Sequence, residues 1–458
     1  MKKLIALLLA LVMVLGLVAC GAPAETPDAP EAPKADAPAA PEADAPAAPE
    51  VDENNPLFTK PTENVHLTIW YAVSGVTAEK FEALVNEYVA ANPNVTVELS
   101  YAGSYADAAN KISANLLTNT APDVALTTAA PMFTGDRGDY TLETLIQDPA
   151  FDADGIYDGV WDYAEWQGRV CALPYGISVP VLYYNKTIAA DMGLDLEANP
   201  PKSWDDLYAI AEKAVADGKA AIGFDVNDVA WLFKSMLAQN GNSIIEVDGA
   251  DVTPIYNNEQ AVEVGTFWQK LITNGLMPVD QHGNADKNFQ GGMTAFLVSS
   301  SVRLARWAGN TEIADFGCLP LPSFAQESAA LGGNHLVVLP KEIEVEKMSD
   351  GDKAKLAAAW DLAKFLMSEE KHTEFAIETG YLPIYADAME GDYVKNAIAE
   401  DGRRQTVYNY LENAWAYTHF DDMGTMDTWL KTTVSEIENG VDVQTALDNG
   451  VQGLLDDM

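Results

Sequence analysis

Between Leu67 and Leu126 the chain switches repeatedly between two hydrophobic periods, and that alternation restricts its possible folds more than any other feature. Residues 67–71 read as a strand. Thr77 is then expected to cap a helix whose apolar residues Phe81, Leu84, Val85, Tyr88 and Val89 share one face. Asn92 and Pro93 stop that helix, and Val95, Val97, Leu99 and Tyr101 alternate as a second strand. A further helix over about 105–117 leads into the short apolar run 121–126. The order strand, helix, strand makes a βαβ unit and predicts a parallel sheet covered by helices.

The same grammar returns downstream. Residues 179–184 are strand-like, and Ser203 to Asp206 form a capping box that opens an amphipathic helix. Residues 294–298 and 334–339 read as strands, and a helix runs through Ala357, Trp360, Leu362, Phe365 and Leu366. From about Tyr393 onward the pattern is helical. The class is α/β. About 400 residues of this kind exceed what one core usually holds, so two lobes are expected.

The N-terminus sets the compartment. Lys2 and Lys3 precede an apolar stretch over residues 4–18, which ends at Leu17, Ala19, Cys20 and Gly21. A basic start, a short apolar run and small residues at the cut describe a secretory leader at 1–19, and the run is shorter than the roughly 20 residues that span a bilayer. The cleavage site resembles a lipobox, which implies that Cys20 is lipidated and tethers the chain to the outer face of the cell membrane. Residues 21–50 hold 8 Pro, 12 Ala and 7 acidic residues, with Lys34 the only base. Such a stretch has nothing to bury, so a disordered spacer is expected over 20–61.

The formal net charge is −42, from 27 Lys plus Arg against 69 Asp plus Glu. That balance excludes nucleic acid as a partner. Besides Cys20 there are only Cys171 and Cys318, without the spacing of a zinc site; free buried thiols or a single bridge both fit. No phosphate-binding loop, serine elbow or paired-histidine zinc motif occurs, so no catalytic residue, metal or cofactor is expected. With so many carboxylates, a secreted glycoside hydrolase is the alternative of another class.

Aromatic and small polar residues gather at predicted strand ends: Trp70 with Ser74, Tyr105, Tyr175 with Ser178, Trp231, Ser299 and Ser300, Gly333 with Asn334, and Tyr381. In open α/β sheets ligands sit beyond the carboxyl ends of strands. Aromatic faces stack on the C–H surfaces of sugars, while hydroxyls and backbone N–H groups bond their oxygens. Trp70 and Trp231 are expected to oppose each other as stacking surfaces.

Four segments carry a family resemblance: LPYGISVPVLYYNK (173–186), PKSWDDL (201–207), NFQGGMTAF (288–296) and TGYLPI (379–384). In order and spacing they resemble the family 1 extracellular solute-binding proteins, the group that includes maltose- and glycerol-3-phosphate-binding proteins. The resemblance implies a type II, two-lobe periplasmic-binding-protein fold with a hinge of crossing strands. It places 62–174 with 332–388 in the N-terminal lobe, and 175–331 with 389–458 in the C-terminal lobe. It also implies a monomer that binds a sugar or polyol and hands it to the permease subunits of an ABC importer. Tyr105, Ser178, Trp231, a serine within 299–301, Gly333 and Tyr381 fall where the glycerol-3-phosphate binders have pocket residues. Two departures stand out: Ala129 replaces an acidic residue, and the late arginine that pairs with phosphate has no counterpart between Glu412 and Met426. Without a planar cation a buried phosphate is poorly compensated, so a neutral carbohydrate is preferred over glycerol-3-phosphate or a glycerophosphodiester.

Overall fold

The computed structural model describes residues 55–128, 142–166, 169–216, 218, 220–224, 229–248, 251–277, 283–308, 310, 313, 315–327, 329–411, 414–416 and 423–458. The leader, Cys20, most of the expected spacer, Ala129 and the loop at 225–228 lie outside the described residues. The spacer was expected to reach residue 61, but the structure has a 3-10 turn at Pro56–Phe58. There Asn55 accepts a hydrogen bond from the Leu57 N–H at 3.0 Å, and Leu57 is buried.

The βαβ rhythm is realised from the start as β1 (Val65–Tyr71), α1 (Val76–Ala91), β2 (Val95–Tyr101), α2 (Tyr105–Leu116) and β3 (Val124–Thr127). The cap of α1 differs from expectation. Gly75 holds that position at φ +59°, with no side-chain bond, while Thr77 lies inside the helix and is buried. By contrast α2 has a full capping box, in which Ser104 Oγ accepts from the Asp107 N–H at 3.2 Å.

Two strands follow in immediate succession, β4 (Leu173–Ser178) and β5 (Pro180–Asn185), both wholly buried. They belong to different sheets. Beyond them come α3 (Trp204–Ala216), β6 (Ala220–Phe224), α4 (Val229–Gln239), α5 (Glu259–Thr273), β7 (Thr294–Ser300) and the short α6 (Arg303–Trp307). The chain closes with β8 (Phe316–Leu319), β9 (Gly332–Val338), α7 (Asp350–Met367), α8 (Glu369–Thr379), α9 (Met423–Glu438) and α10 (Val443–Asp457).

The first sheet has the order β2-β1-β3-β9-β4, with β1 parallel to β2 and β3, and β9 antiparallel to β3 and β4. The second has the order β8-β5-β7-β6, in which only β7 and β6 run parallel. The chain therefore passes between sheets at Val179 and again between β8 and β9. One apolar core takes in Phe81, Tyr175 and Trp360 beside the first sheet and continues onto Tyr183, Leu297 and Phe316 of the second, while a separate core holds Trp204, Phe224 and Trp268. The predicted capping box forms at α3, where Asp206 Oδ2 accepts from the Ser203 N–H at 3.0 Å. Cys171 and Cys318 are both buried, and no disulfide joins them. Among the described residues no helix is long and apolar enough to cross a membrane.

Candidate functional site

A cavity of about 330 Å³ opens where the carboxyl ends of strands from both sheets meet. It falls at the lower end of ordinary small-molecule sites, roughly 300–1,000 Å³. Its first wall comes from the first sheet: Tyr105 at the start of α2, Thr128 after β3, Tyr163, Ser178 at the end of β4, and Tyr381 just past α8. Gly332 and Gly333, at the start of β9, form the floor.

The tyrosines of this wall are held from behind. Asn334 is fully buried, and its Nδ2 donates to the Tyr381 hydroxyl at 2.9 Å and to that of Tyr105 at 3.4 Å. Space for that amide exists because residue 176 is glycine; a Cβ there would stand 2.5 Å from Asn334 Nδ2. Gly333 adopts φ +129°, and a Cβ on it would come within 1.7 Å of the Gly176 carbonyl oxygen. Tyr163 donates to the Gly333 carbonyl at 3.4 Å and stacks on His335, ring centroids 4.5 Å apart. Burial holds the Tyr381 phenol well above its ordinary pKa, with Tyr105 adding to the rise and the positive charge of Arg306 opposing it.

The second wall carries Trp231 and Lys234 from α4, Ser300 from the end of β7, Arg303 and Arg306 from α6, and Asp427 from α9. Trp231 and Lys234 are three apart on a helix, which puts both on one face. The Trp231 Nε1 donates to the carbonyls of Ala330 and Leu331 at 3.2 and 3.3 Å, so its indole is tied to the strand that crosses between sheets. It lies over Gly332, where a Cβ would meet the ring at 2.8 Å. Lys234, whose side chain is 1% exposed, pairs with Asp427 at 2.8 Å. Arg303 pairs with Asp286 at 2.9 Å.

Of the residues singled out in the sequence, Tyr105, Ser178, Trp231, Ser300, Gly333 and Tyr381 come together on this cavity. The other five do not line it. Trp70 packs with Tyr105 beside Ala72, Ala102 and Ala108, between β1 and α2, and is not among the lining residues. Ser74 is exposed in the loop before α1. Tyr175 is fully buried against Phe375, ring centroids 4.4 Å apart. Ser299 is buried on the opposite face of β7 from Ser300, as strand alternation requires. Asn334 sits behind the tyrosines it supports.

Sequence reasoning missed Thr128, Tyr163, Lys234, Val302 and Asp427. The helical spacing from Trp231 would have found Lys234, whereas Asp427 reaches the site only through the tertiary packing of α9. A larger depression of about 620 Å³ lies elsewhere, bordered by Glu369, Glu370, Glu374 and Asp392. It draws no residue from the second sheet.

The geometry defines a class, a two-lobe receptor with its site between two α/β sheets, and comparison with known proteins supplies the family. The chain belongs to the bacterial extracellular solute-binding proteins, whose sequence profile matches residues 83–401. It is 27% identical over 368 residues to the sn-glycerol-3-phosphate-binding periplasmic protein UgpB of Escherichia coli (strain K12), covering 74% of this chain and 80% of that one. Among solved structures it is similar to UgpB from Mycobacterium tuberculosis in complex with glycerophosphocholine, with TM-score 0.73 and 22% identity over 86% of this chain and 99% of the other. It is also similar to the cyclic alpha-maltosyl-1,6-maltose binding protein from Arthrobacter globiformis, with TM-score 0.71 and 24% identity over 85% and 98% of the two chains. These likenesses show the type II periplasmic-binding-protein fold. The chain is thus a solute-binding protein that acts outside the cytoplasm, and not an enzyme.

Proposed function

We propose that the chain captures a carbohydrate or related polyol in the cavity between its two sheets and delivers it to the permease subunits of its importer, tethered meanwhile to the membrane by lipid on Cys20. The observation that carries this reading is the convergence of Trp231, Tyr105, Tyr381, Ser178 and Ser300 on one cavity, an aromatic face among hydroxyls. The mechanism is closure: a solute that touches both walls has more contacts in the closed form and so favours it. Trp231, already bonded to the crossing strand, is placed to couple the solute to that movement.

A second reading, a glycerophosphodiester, is favoured by one observation. Arg303, Arg306 and Lys234 line the cavity, so cations are present although the late arginine is not. A thermal-shift screen of mono- and oligosaccharides beside glycerol-3-phosphate and glycerophosphocholine separates the two, since a ligand at 100 times its Kd adds about 2.7 kcal/mol of stability. A rise in Tm with a sugar alone supports the first reading and a rise with the diester alone supports the second. No rise with any polyol overturns both.

A further inference from the structure

The depression of about 620 Å³ lies at the amino end of α8, whereas Tyr381 reaches the cleft from just beyond its carboxyl end. An 11-residue helix separates the two by about 16 Å. One wall of the depression is a face of α8, where Glu369, Glu370, Thr373 and Glu374 fall at helical spacing. The other is the start of the helix Asp392–Glu400, with Asp392 and Tyr393. Every lining residue belongs to the stretch 329–411, which is described without a gap.

No lining residue is cationic. Glu374 is held by Lys80 and by Lys371 at 3.5 Å, and Glu370 stands 3.6 Å from Lys371 with its side chain 83% exposed. Glu369 and Asp392 make no ion pair with a described residue. The dipoles of two helices favour carboxylates in their first turns, which accounts for the acidic residues but not for Thr373. That side chain is 5% exposed, and its hydroxyl has no hydrogen-bond partner, although a helical threonine can bond the carbonyl four residues back. An unpaired buried hydroxyl costs stability, and this one belongs to the wall of the depression. On the other wall Tyr393 is 47% exposed, with its hydroxyl 3.5 Å from Glu378. Separated carboxylates, a hydroxyl without a partner and an open aromatic ring suit one chemistry, protonated amines joined by methylenes. A metal ion does not fit, because among the described residues no three His, Cys, Asp or Glu side chains converge to hold one.

We propose that this depression is a second ligand site, for a linear polyamine, at the far end of α8 from the cleft. Glu369 and Asp392 pair with its ammonium groups, Thr373 accepts one N–H, and Tyr393 covers the methylenes. The site goes beyond the capture of solute in the cleft and does not depend on it. A net charge of −42 attracts any cation, so what distinguishes a site from a surface is the uncharged contact, the Thr373 hydroxyl.

Isothermal titration of the full chain with spermidine, with magnesium chloride at the same ionic strength and with a trilysine peptide tests this. Spermidine should bind at one site per chain, about tenfold or more tightly than magnesium. Glu369→Gln and Asp392→Asn should each weaken it about tenfold, whereas Glu98→Gln, which removes an exposed carboxylate on β2, should leave it unchanged. Thr373→Val should weaken it about threefold while the variant melts at or above the parent's Tm, because the unpaired hydroxyl is gone. Trp231→Ala, in the cleft, should bind spermidine as the parent does. Magnesium bound as tightly as spermidine, a loss in Glu98→Gln equal to that in Glu369→Gln, full affinity in Thr373→Val, or loss of spermidine binding in Trp231→Ala overturns the site. Trilysine bound more tightly than spermidine overturns the small-ligand assignment in favour of a basic segment of another protein. None of these outcomes bears on whether the cleft takes a polyol.

Discussion

The wall on the first sheet presents Tyr105, Tyr163 and Tyr381, with Asn334 and the Gly333 carbonyl bonding their hydroxyls from behind, whereas the wall on the second presents an indole and three cations. The supports differ in kind. Behind the tyrosines stands a buried amide with no charge, in a space opened by Gly176 and Gly333. Two of the cations, Lys234 and Arg303, are paired with carboxylates, and Asp427 is itself 44% exposed. Neutral hydrogen bonds in a dry interior keep their geometry whether the cleft is open or closed. Partly exposed ion pairs are screened and yield more easily. The first wall is therefore a fixed template, and the second is the side that adjusts to the solute.

Breaking the template altogether requires the floor that both walls share. At Gly333 the φ of +129° is strained for any side chain, and an added Cβ would strike the Gly176 carbonyl at 1.7 Å. Gly333→Ala should cost roughly 4 kcal/mol or more, the exceptional range for one substitution, because β4 and β9 must separate. Denaturant unfolding measures it. A cost below about 1 kcal/mol would mean that the crossing strands are loosely held, and the contrast between a fixed and a yielding wall would fail.

The two tryptophans sharpen the same contrast. Trp70→Ala should lower stability by about 3 kcal/mol, the lower end for a large aromatic, since Trp70 is partly exposed. Its effect on ligand affinity should be within twofold. Trp231→Ala should do the reverse, melting within a few degrees of the parent and binding the solute about tenfold more weakly. Loss of binding in the Trp70 variant would bring that residue back to the ligand.

Those two residues also show what a sequence can and cannot reveal. Both are aromatic residues at plausible strand or helix positions, and local pattern assigned them the same role. The α/β architecture, the strands and most helices were legible because hydrophobic periodicity reports which face of each element is buried. Six site residues were legible because they sit at the ends of those elements. Which side of a strand end faces the cleft was not, since Trp70 is decided by α2 packing against β1, and Ser299 from Ser300 by the sheet's pleat. The charge of the second wall was hidden for a further reason: Arg303 is balanced by Asp286 and Lys234 by Asp427, pairs that only the tertiary fold assembles.

A smaller and pH-dependent difference separates the walls. The buried histidines among the described residues, His335 and His372, both belong to the first sheet's side, and burial pushes each imidazole down to about 4. In the unfolded chain they titrate near their ordinary value of about 6.5. Above that pH both states are neutral and nothing changes. As pH falls from 6.5 through 4 the unfolded chain takes up protons that the folded chain refuses, so stability drops by up to roughly 3 kcal/mol per histidine. His372→Gln, which keeps a donor for the Tyr175 carbonyl now bonded to Nε2 at 2.7 Å, should flatten that dependence. Urea midpoints at pH 4.5 and 7 measure it, and an unchanged slope in the variant would show that His372 charges while folded.

The smallest expected effect concerns one oxygen. Tyr381→Phe keeps the ring, which stacks on Phe375 with centroids 5.8 Å apart, and removes only the hydroxyl that accepts from Asn334 at 2.9 Å. Asn334 Nδ2 then retains the longer bond to Tyr105 at 3.4 Å. The stability cost should be about 1 kcal/mol, that of a buried donor losing its better partner. Affinity should fall a few-fold, because the hydroxyl lines the cavity and also fixes Tyr105 through the shared amide. Tyr105→Phe supplies the control, and the double variant supplies the test. If the amide couples the two hydroxyls, the double variant should lose at least 0.5 kcal/mol more or less than the sum of the single losses. Strict additivity would mean that each tyrosine is held by its own packing, and the first wall would then be three independent side chains rather than one template.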